Sequence, residues 1–255
     1  MSEGRIRQST MFLTDVLRGV EAGQLVPASF QRPYAWGRPD VEALWTSLAK
    51  GYPIGSFLLW SPPPEVDVAA LGRSRIGPVA VAPASHPTLV LDGQNRMASY
   101  VWSTLATAPD GEEVERLDGL HPLSPPERDT WLGEEALFAD PVERAIRFLP
   151  RSEASRRLLL PAHALVREDV LMPYLRRWER SHGPVSDGDL YWFCDEMRRR
   201  VSEARVAVTT LERLPPGEAL DAFRHVARAG VPISDEDFEA AMAFALPAAP
   251  GGPAA

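Results

Sequence analysis

Thr88-Leu89-Val90-Leu91 is an unbroken apolar run that passes straight into Asp92-Gly93-Gln94-Asn95-Arg96, and helical periodicity follows through about residue 107. A short continuous apolar run reads as a buried strand. Strand, tight glycine turn and helix in direct succession is an arrangement that builds sites. Ser56-Phe57-Leu58-Leu59-Trp60 is a second such run, closed by prolines at 62–64. The chain must therefore fold as a mixture of buried strands and helices.

Prolines punctuate the rest: there are 25 in 255 residues, about twice the usual share. Ser9 and Thr10 are placed to cap a helix over 11–22, with Phe12, Leu13, Val16, Leu17 and Val20 on one face and Gly23 as its stop. An extended piece covers 24–34. A helix then starts near Pro39, carries Val41, Leu44, Trp45 and Leu48 on one face, and ends at Gly51-Tyr52-Pro53. Residues 61–87 read as a loop and 108–134 as an acidic, proline-bearing excursion. Strands are predicted near 135–139 and 144–149, and an extended stretch near 157–161. Helices over 167–181 and 187–203, a strand over 205–211, and helices over 217–228 and 234–245 complete the pattern. The layout is a core over 1–107, the excursion, the remainder of the same domain over 135–246, and a low-complexity tail, 247–255, expected to be disordered.

Of the 27 basic residues only Lys50 is a lysine, and its surroundings lack the glycine spacing of a P-loop. P-loop and Schiff-base chemistry, which both need a placed lysine, are thereby disfavoured. The net charge of -8 argues against a surface that binds DNA without selectivity. A single cysteine, Cys194, excludes an intramolecular disulfide and a multi-cysteine zinc site, and reads as a small buried hydrophobe. The histidines at 86, 121, 163, 182 and 225 are scattered, without the spacing of a metal site. No apolar run approaches the roughly 18 residues of a membrane span, and nothing at the N-terminus reads as a leader, so a cytoplasmic protein without membrane contact is expected. Arg198-Arg199-Arg200 reads as a solvated helix face beside Asp195, Glu196 and Glu203. Trp45, Trp60, Trp102, Trp131, Trp178 and Trp192 mostly fall on apolar faces and are expected in the core.

Two segments carry chemistry. Asp92-Gly93-Gln94-Asn95-Arg96 packs an acid, two amides and a guanidinium at a helix start, where unpaired N–H groups and the helix dipole favour an anion. Asp92 can hold a divalent metal or act as a base on water, Gly93 lets backbone approach a ligand, and Arg96 can clamp phosphate. The alternative for the same residues is a plain helix N-cap at Asp92 with Arg96 on the surface. In Phe30-Gln31-Arg32-Pro33-Tyr34-Ala35-Trp36, a polar pair sits among aromatics, either as an anchored extended segment aiming Arg32 at a ligand or as a strand with a structural ion pair. Tyr34 or Trp36 can stack on a base.

The series Gln31-Arg32-Pro33-Tyr34-X-Trp36, then Gly51-Tyr52-Pro53-Ile54-Gly55-Ser56 before an apolar strand, then Leu91-Asp92-Gly93-Gln94-Asn95-Arg96, resembles the N-terminal domain of GmrSD-type modification-dependent restriction proteins, of the ParB/sulfiredoxin-like superfamily. Phe223-Arg224-His225-Val226-Ala227-Arg228-Ala229-Gly230-Val231-Pro232-Ile233-Ser234 resembles that family's C-terminal signature, so the likeness spans about 10–245. It implies an α+β fold with a small mixed sheet, surrounding helices and a helical C-terminal part. It also implies a domain that binds and often hydrolyses a nucleoside triphosphate with Mg2+ or another divalent cation, in defence against phage or modified DNA. Carried over, Asp92, Gln94 and Arg96 are the catalytic residues, and Gln31, Arg32, Tyr34, Gly93, Asn95 and Arg96 hold the nucleotide, with Asp92 as the metal ligand. A separately encoded nuclease or DNA-binding partner, and DNA itself, are the implied associates. Three positions depart from the family pattern: Asn95 replaces a glutamine, Ala227 an asparagine and Ala229 a glycine. The other readings are a phosphotransferase acting on a small molecule and a non-catalytic nucleotide- or DNA-sensing module.

Overall fold

The computed structural model describes residues 4–31, 33–68, 71–77, 79–105, 120–121, 135–184 and 188–227. Its centre is a five-stranded mixed sheet in the order β1-β11-β3-β6-β2. The strands are β1 (Arg5–Phe12), β2 (Leu25–Pro27), β3 (Ser56–Ser61), β6 (Thr88–Asp92) and β11 (Arg205–Glu212). β1 pairs antiparallel with β11, from Arg5↔Glu212 to Phe12↔Arg205. β11 runs parallel to β3, β3 antiparallel to β6, and β2 parallel to β6. The fold is α+β, with helices against the sheet. Phe57, Leu58, Leu59 and Trp60 on β3, and Leu89, Val90 and Leu91 on β6, are all buried, which is why both strands read as unbroken apolar runs.

The helices follow their apolar periodicity. α1 (Leu13–Glu21) buries Leu13, Val16, Leu17 and Val20. α2 (Arg38–Lys50) buries Val41, Leu44, Trp45 and Leu48. It starts with the Gly37 amide donating to Asp40 Oδ2 at 2.9 Å and ends in a left-handed Gly51, φ 69°. α3 (Gln94–Leu105) lies behind the site loop, with Tyr100 stacked on Trp45 at 5.8 Å and Ser103 Oγ accepting from the Trp45 indole at 2.8 Å. α4 (Ala162–Val166), α5 (Glu168–His182), α6 (Gly188–Ser202) and α7 (Pro216–Ala227) form the more helical C-terminal part.

Several expectations change. The helix expected over 11–22 starts at Leu13, because residues 5–12 form an edge strand, and Ser9 and Thr10 lie within that strand rather than capping the helix. Phe12 occupies the N-cap position of α1 and makes no side-chain cap bond. The polar run of β1 has no alternation to betray it: backbone pairing with β11 creates the strand. The loop over 61–87 contains β4 (Arg75–Ile76) and β5 (Val79–Val81), which join β7 (Leu120–His121) in a small sheet. Trp192 is 65% exposed, not core, whereas Trp45, Trp60 and Trp102 are buried as expected. Trp131, the predicted helix over 234–245 and the tail fall outside the described residues.

The hairpin β8 (Glu135–Asp140) and β9 (Ala145–Pro150), with β10 (Leu160–Pro161) on its other side, packs on α2. Glu42 accepts from the Phe148 amide at 2.7 Å, and Arg38 pairs with Glu135. The arginine run on α6 is solvated as expected, with Arg198 on Asp195, Arg199 on Glu196 and Glu203, and Arg200 on Glu196. Cys194 is buried, and burial pushes its thiol up to about 11. Among the described residues, no helix is long and apolar enough to cross a membrane.

Candidate functional site

The site is a seam where sequence-distant segments meet at the end of β6. After β2 the chain turns, with the Gln31 amide N–H donating to the Ala28 carbonyl at 3.1 Å. The Gln31 side chain, 9% exposed, donates through Nε2 to the Val90 carbonyl at 2.9 Å and also to the Leu91 carbonyl. It thus ties the aromatic segment to the last residues of β6 before the glycine turn. Phe30 is buried against Phe223 of α7, with ring centroids 5.8 Å apart, so the first residue of the C-terminal signature packs onto this segment.

The next residues of the segment are held by α3. Tyr34 Oη lies 2.7 Å from Ser99 Oγ and accepts from the Trp102 indole at 3.0 Å. Burial raises the Tyr34 phenol above its ordinary pKa, so it stays protonated and able to donate. The Ala35 amide donates to Asn95 Oδ1 at 3.2 Å. The shorter amide at position 95 thereby serves as a brace for the aromatic segment. Arg32 lies outside the described residues.

Arg96 faces the other way. Its guanidinium donates to the Ser56 carbonyl at 2.8 Å and the Ile54 carbonyl at 3.3 Å, and lies 3.6 Å from Asp92 Oδ2. The guanidinium therefore links the Gly51–Ser56 motif to the Asp92 loop. Gly55, at φ +91°, gives it room: a Cβ there would fall 2.2 Å from Arg96 Nη1. Gly93, at φ +92°, also has no space for a side chain, but the neighbour it admits is Phe57, 2.3 Å from a Cβ built at that position. Gln94 is buried.

The structure thus brings Gln31, Tyr34, Asp92, Gly93, Gln94, Asn95 and Arg96 into one seam. Toward solvent it leaves the Asp92 side chain, 43% exposed, and the Arg96 side chain, 24% exposed, with Tyr34 and Asn95 also partly exposed. The first helical hydrogen bond of α3 runs from the Met97 amide to the Gly93 carbonyl, so the amides of residues 94–96 precede it. Among the described residues, no group of three or more His, Cys, Asp or Glu side chains is placed to hold a metal. His225 is exposed on α7, with Nδ1 at 2.9 Å from the Asp221 carbonyl of its own helix.

Sequence reasoning missed Arg73. It reaches from the 61–87 segment to donate to the Ser29 carbonyl at 2.9 Å and to the Gln31 carbonyl, fixing the turn that carries Gln31. Burial lowers its pKa from the usual arginine value. Nothing local in the sequence singles it out, because its partners are backbone atoms some forty residues earlier. Gly55 was legible as part of a motif, but not as the space for Arg96.

The sequence pattern of the GmrSD restriction endonuclease N-terminal domain matches residues 13–239. The chain belongs to this family. The GmrSD N-terminal domain match takes in α1 to α7 and every segment of the seam, while β1 precedes it. The chain is also similar to the uncharacterized protein MJ0686 of Methanocaldococcus jannaschii, 29% identical over 102 residues. That similarity covers 38% of this chain and 17% of that protein's length.

Proposed function

We propose that this GmrSD N-terminal domain, with a ParB/sulfiredoxin-like fold, binds a nucleoside triphosphate at the seam and hydrolyses it in a restriction or phage-defence system. The observation that carries the reading is that two motif segments are tied to the 92–96 loop, through Gln31 on the Leu91 carbonyl and the Ala35 amide on Asn95 at one side and through the Ile54 and Ser56 carbonyls on Arg96 at the other, while the Asp92 carboxylate beside Arg96 stays partly exposed. The amides of residues 94–96 and the open edge of Arg96 receive phosphate oxygens. Tyr34 and Arg32 lie on the segment that would meet the rest of the nucleotide. Asp92 orients the attacking water and takes its proton as the water oxygen bonds to the γ-phosphorus and the β–γ bridge breaks, giving the nucleoside diphosphate and inorganic phosphate.

The donor set also fits the alternative role of Asp92, as ligand of an Mg2+ ion shared with phosphate: one exposed carboxylate is what such an ion takes from a protein when phosphates and waters supply the rest. Bound there, it would neutralise charge on the phosphate oxygens. A nuclease or DNA-binding partner, with DNA as the final target, completes the proposed setting.

Because Arg96 also braces backbone, Arg96→Ala mixes folding with function, and Asp92→Asn is the cleaner variant. Thermal unfolding with magnesium and each nucleotide should show a rise of about 5 °C or more for the preferred one at a hundredfold excess over Kd. Phosphate release should fall by about 10²-fold or more in Asp92→Asn while that rise survives. Wild-type turnover in Asp92→Asn, or no nucleotide that raises Tm, defeats the reading. A second reading, a module that senses nucleotide without turnover, is favoured by the use of Gln31, Tyr34, Asn95 and Arg96 as braces. Binding without phosphate release selects it, and release only on addition of an acceptor selects a phosphotransferase.

A further inference from the structure

A polar pocket lies at the other end of the central sheet. It has a volume of about 400 Å³ and is framed by Arg5, Arg7 and Arg213, with Ser61, Thr88 and Thr210 on its floor. Thr88 begins β6 and Asp92 ends it, so the pocket is about 13 Å along the strand from the seam. The sheet register assembles it: Arg7 is opposite Thr210, Arg5 opposite Glu212, and Glu212 beside Ser61.

Glu212 organises the arginines. Its Oε2 accepts from Arg5 Nε and its Oε1 from Arg7 Nε, each at 2.5 Å. These bonds hold the Glu212 carboxyl below its ordinary range, so it remains charged. Both guanidiniums are gripped at Nε, which leaves their Nη donors uncommitted among the described residues. The Arg213 side chain makes no hydrogen bond or ion pair among the described residues. Its backbone is left-handed, φ 55°, while its amide still donates to the Ser61 carbonyl at 2.8 Å and keeps it at the pocket edge. The Ser61, Thr88 and Thr210 hydroxyls also have no side-chain partner among the described residues. Three cations against one carboxylate, with guanidinium forks and hydroxyl donors converging from four strands, is the chemistry that receives a tetrahedral oxyanion.

We propose that this pocket is a phosphate-binding site separate from the seam. The phosphate belongs either to a free oligophosphate or to a nucleic-acid backbone, and both offer the oxygens these donors need. The site is independent of the nucleotide reading above, since no seam residue lines it.

The test uses the full chain in low-salt buffer with two probes: sodium pyrophosphate followed by calorimetry, and a short fluorescein-labelled DNA duplex followed by anisotropy. The variant is Arg213→Asn, which removes the cation, breaks no bond within the protein and keeps a residue that tolerates the left-handed backbone. Arg176→Gln, an exposed arginine outside the pocket, controls for net charge. The expected result is that at least one probe binds, about tenfold more weakly in Arg213→Asn and within twofold of wild type in Arg176→Gln. Pyrophosphate binding alone identifies a free oligophosphate as the source. Duplex binding that weakens steeply with salt identifies the nucleic-acid backbone. Failure of both probes to bind, equal binding by Arg213→Asn, or an equal loss in Arg176→Gln overturns the proposal.

Discussion

Gly55 and Gly51 belong to one motif, yet they do different things. Both have positive φ, 91° and 69°, but a Cβ at Gly51 would meet nothing within 4 Å, whereas one at Gly55 would strike the Arg96 guanidinium. The expected order follows. Gly51→Ala costs only left-handed strain, about 1 kcal/mol. Gly55→Ala adds displacement of Arg96 from the Ile54 and Ser56 carbonyls, for a total of about 2–4 kcal/mol. Urea unfolding of the two variants measures the difference, and equal losses would mean that Gly55 serves the turn alone. The same contrast shows what a motif conceals: the spacing of glycines is visible in the sequence, while the side chain each one admits is not. Gly93 is the parallel case, where a Cβ would strike the Phe57 ring.

At the level of elements, the β8–β9 hairpin depends on one carboxylate. Asp140 is 0% exposed and pairs with Arg157 and Arg147, and Oδ1 accepts from the Val142 and Glu143 amides at 3.0 Å each. Burial alone raises the Asp140 carboxyl, but the Glu143 amide, the Arg157 guanidinium and the Val142 amide outweigh it and hold the group below the usual carboxylate range. A depressed folded pKa means that the unfolded chain binds the proton more readily. The stabilisation is therefore complete above the ordinary aspartate value, about 3.9, and is lost as pH falls through the lower folded value. Asp140→Asn is expected to cost about 1–3 kcal/mol at neutral pH. The gap between variant and wild type should close as the buffer is acidified toward the folded pKa, and a gap unchanged by acid would contradict the assignment. The hairpin strands themselves were legible from their apolar residues. Their anchor was not, because an aspartate at a strand end looks like any turn residue until its partners at 147 and 157 fold beside it.

The whole molecule is organised by an edge that sequence patterns do not reveal. β1 covers β11 along its length, with Phe12 under the Arg205 guanidinium at 4.3 Å and Glu212 binding Arg5 and Arg7. Removing residues 1–12 would bare a strand in which Val206, Val208 and Leu211 are buried, and an uncovered apolar edge recruits other chains. The truncated protein should self-associate on size exclusion while the full chain does not add mass under the same conditions, and a well-behaved truncated species would show that β1 is dispensable. By itself, the sequence determined the mixed class of the fold, the buried strands β3 and β6, the faces of α1 and α2, and the loop that carries Asp92. Those features are local, since hydrophobic periodicity, glycine turns and proline breaks act over a few residues. Only the tertiary structure decided that Gln31 grips the end of β6, that Asn95 and Arg96 brace two different segments, that Arg73 holds a turn from a distant loop, and that a polar N-terminal run becomes a strand. Each of those depends on a backbone group or strand edge supplied by a remote part of the chain, and a linear pattern holds no record of which remote part arrives.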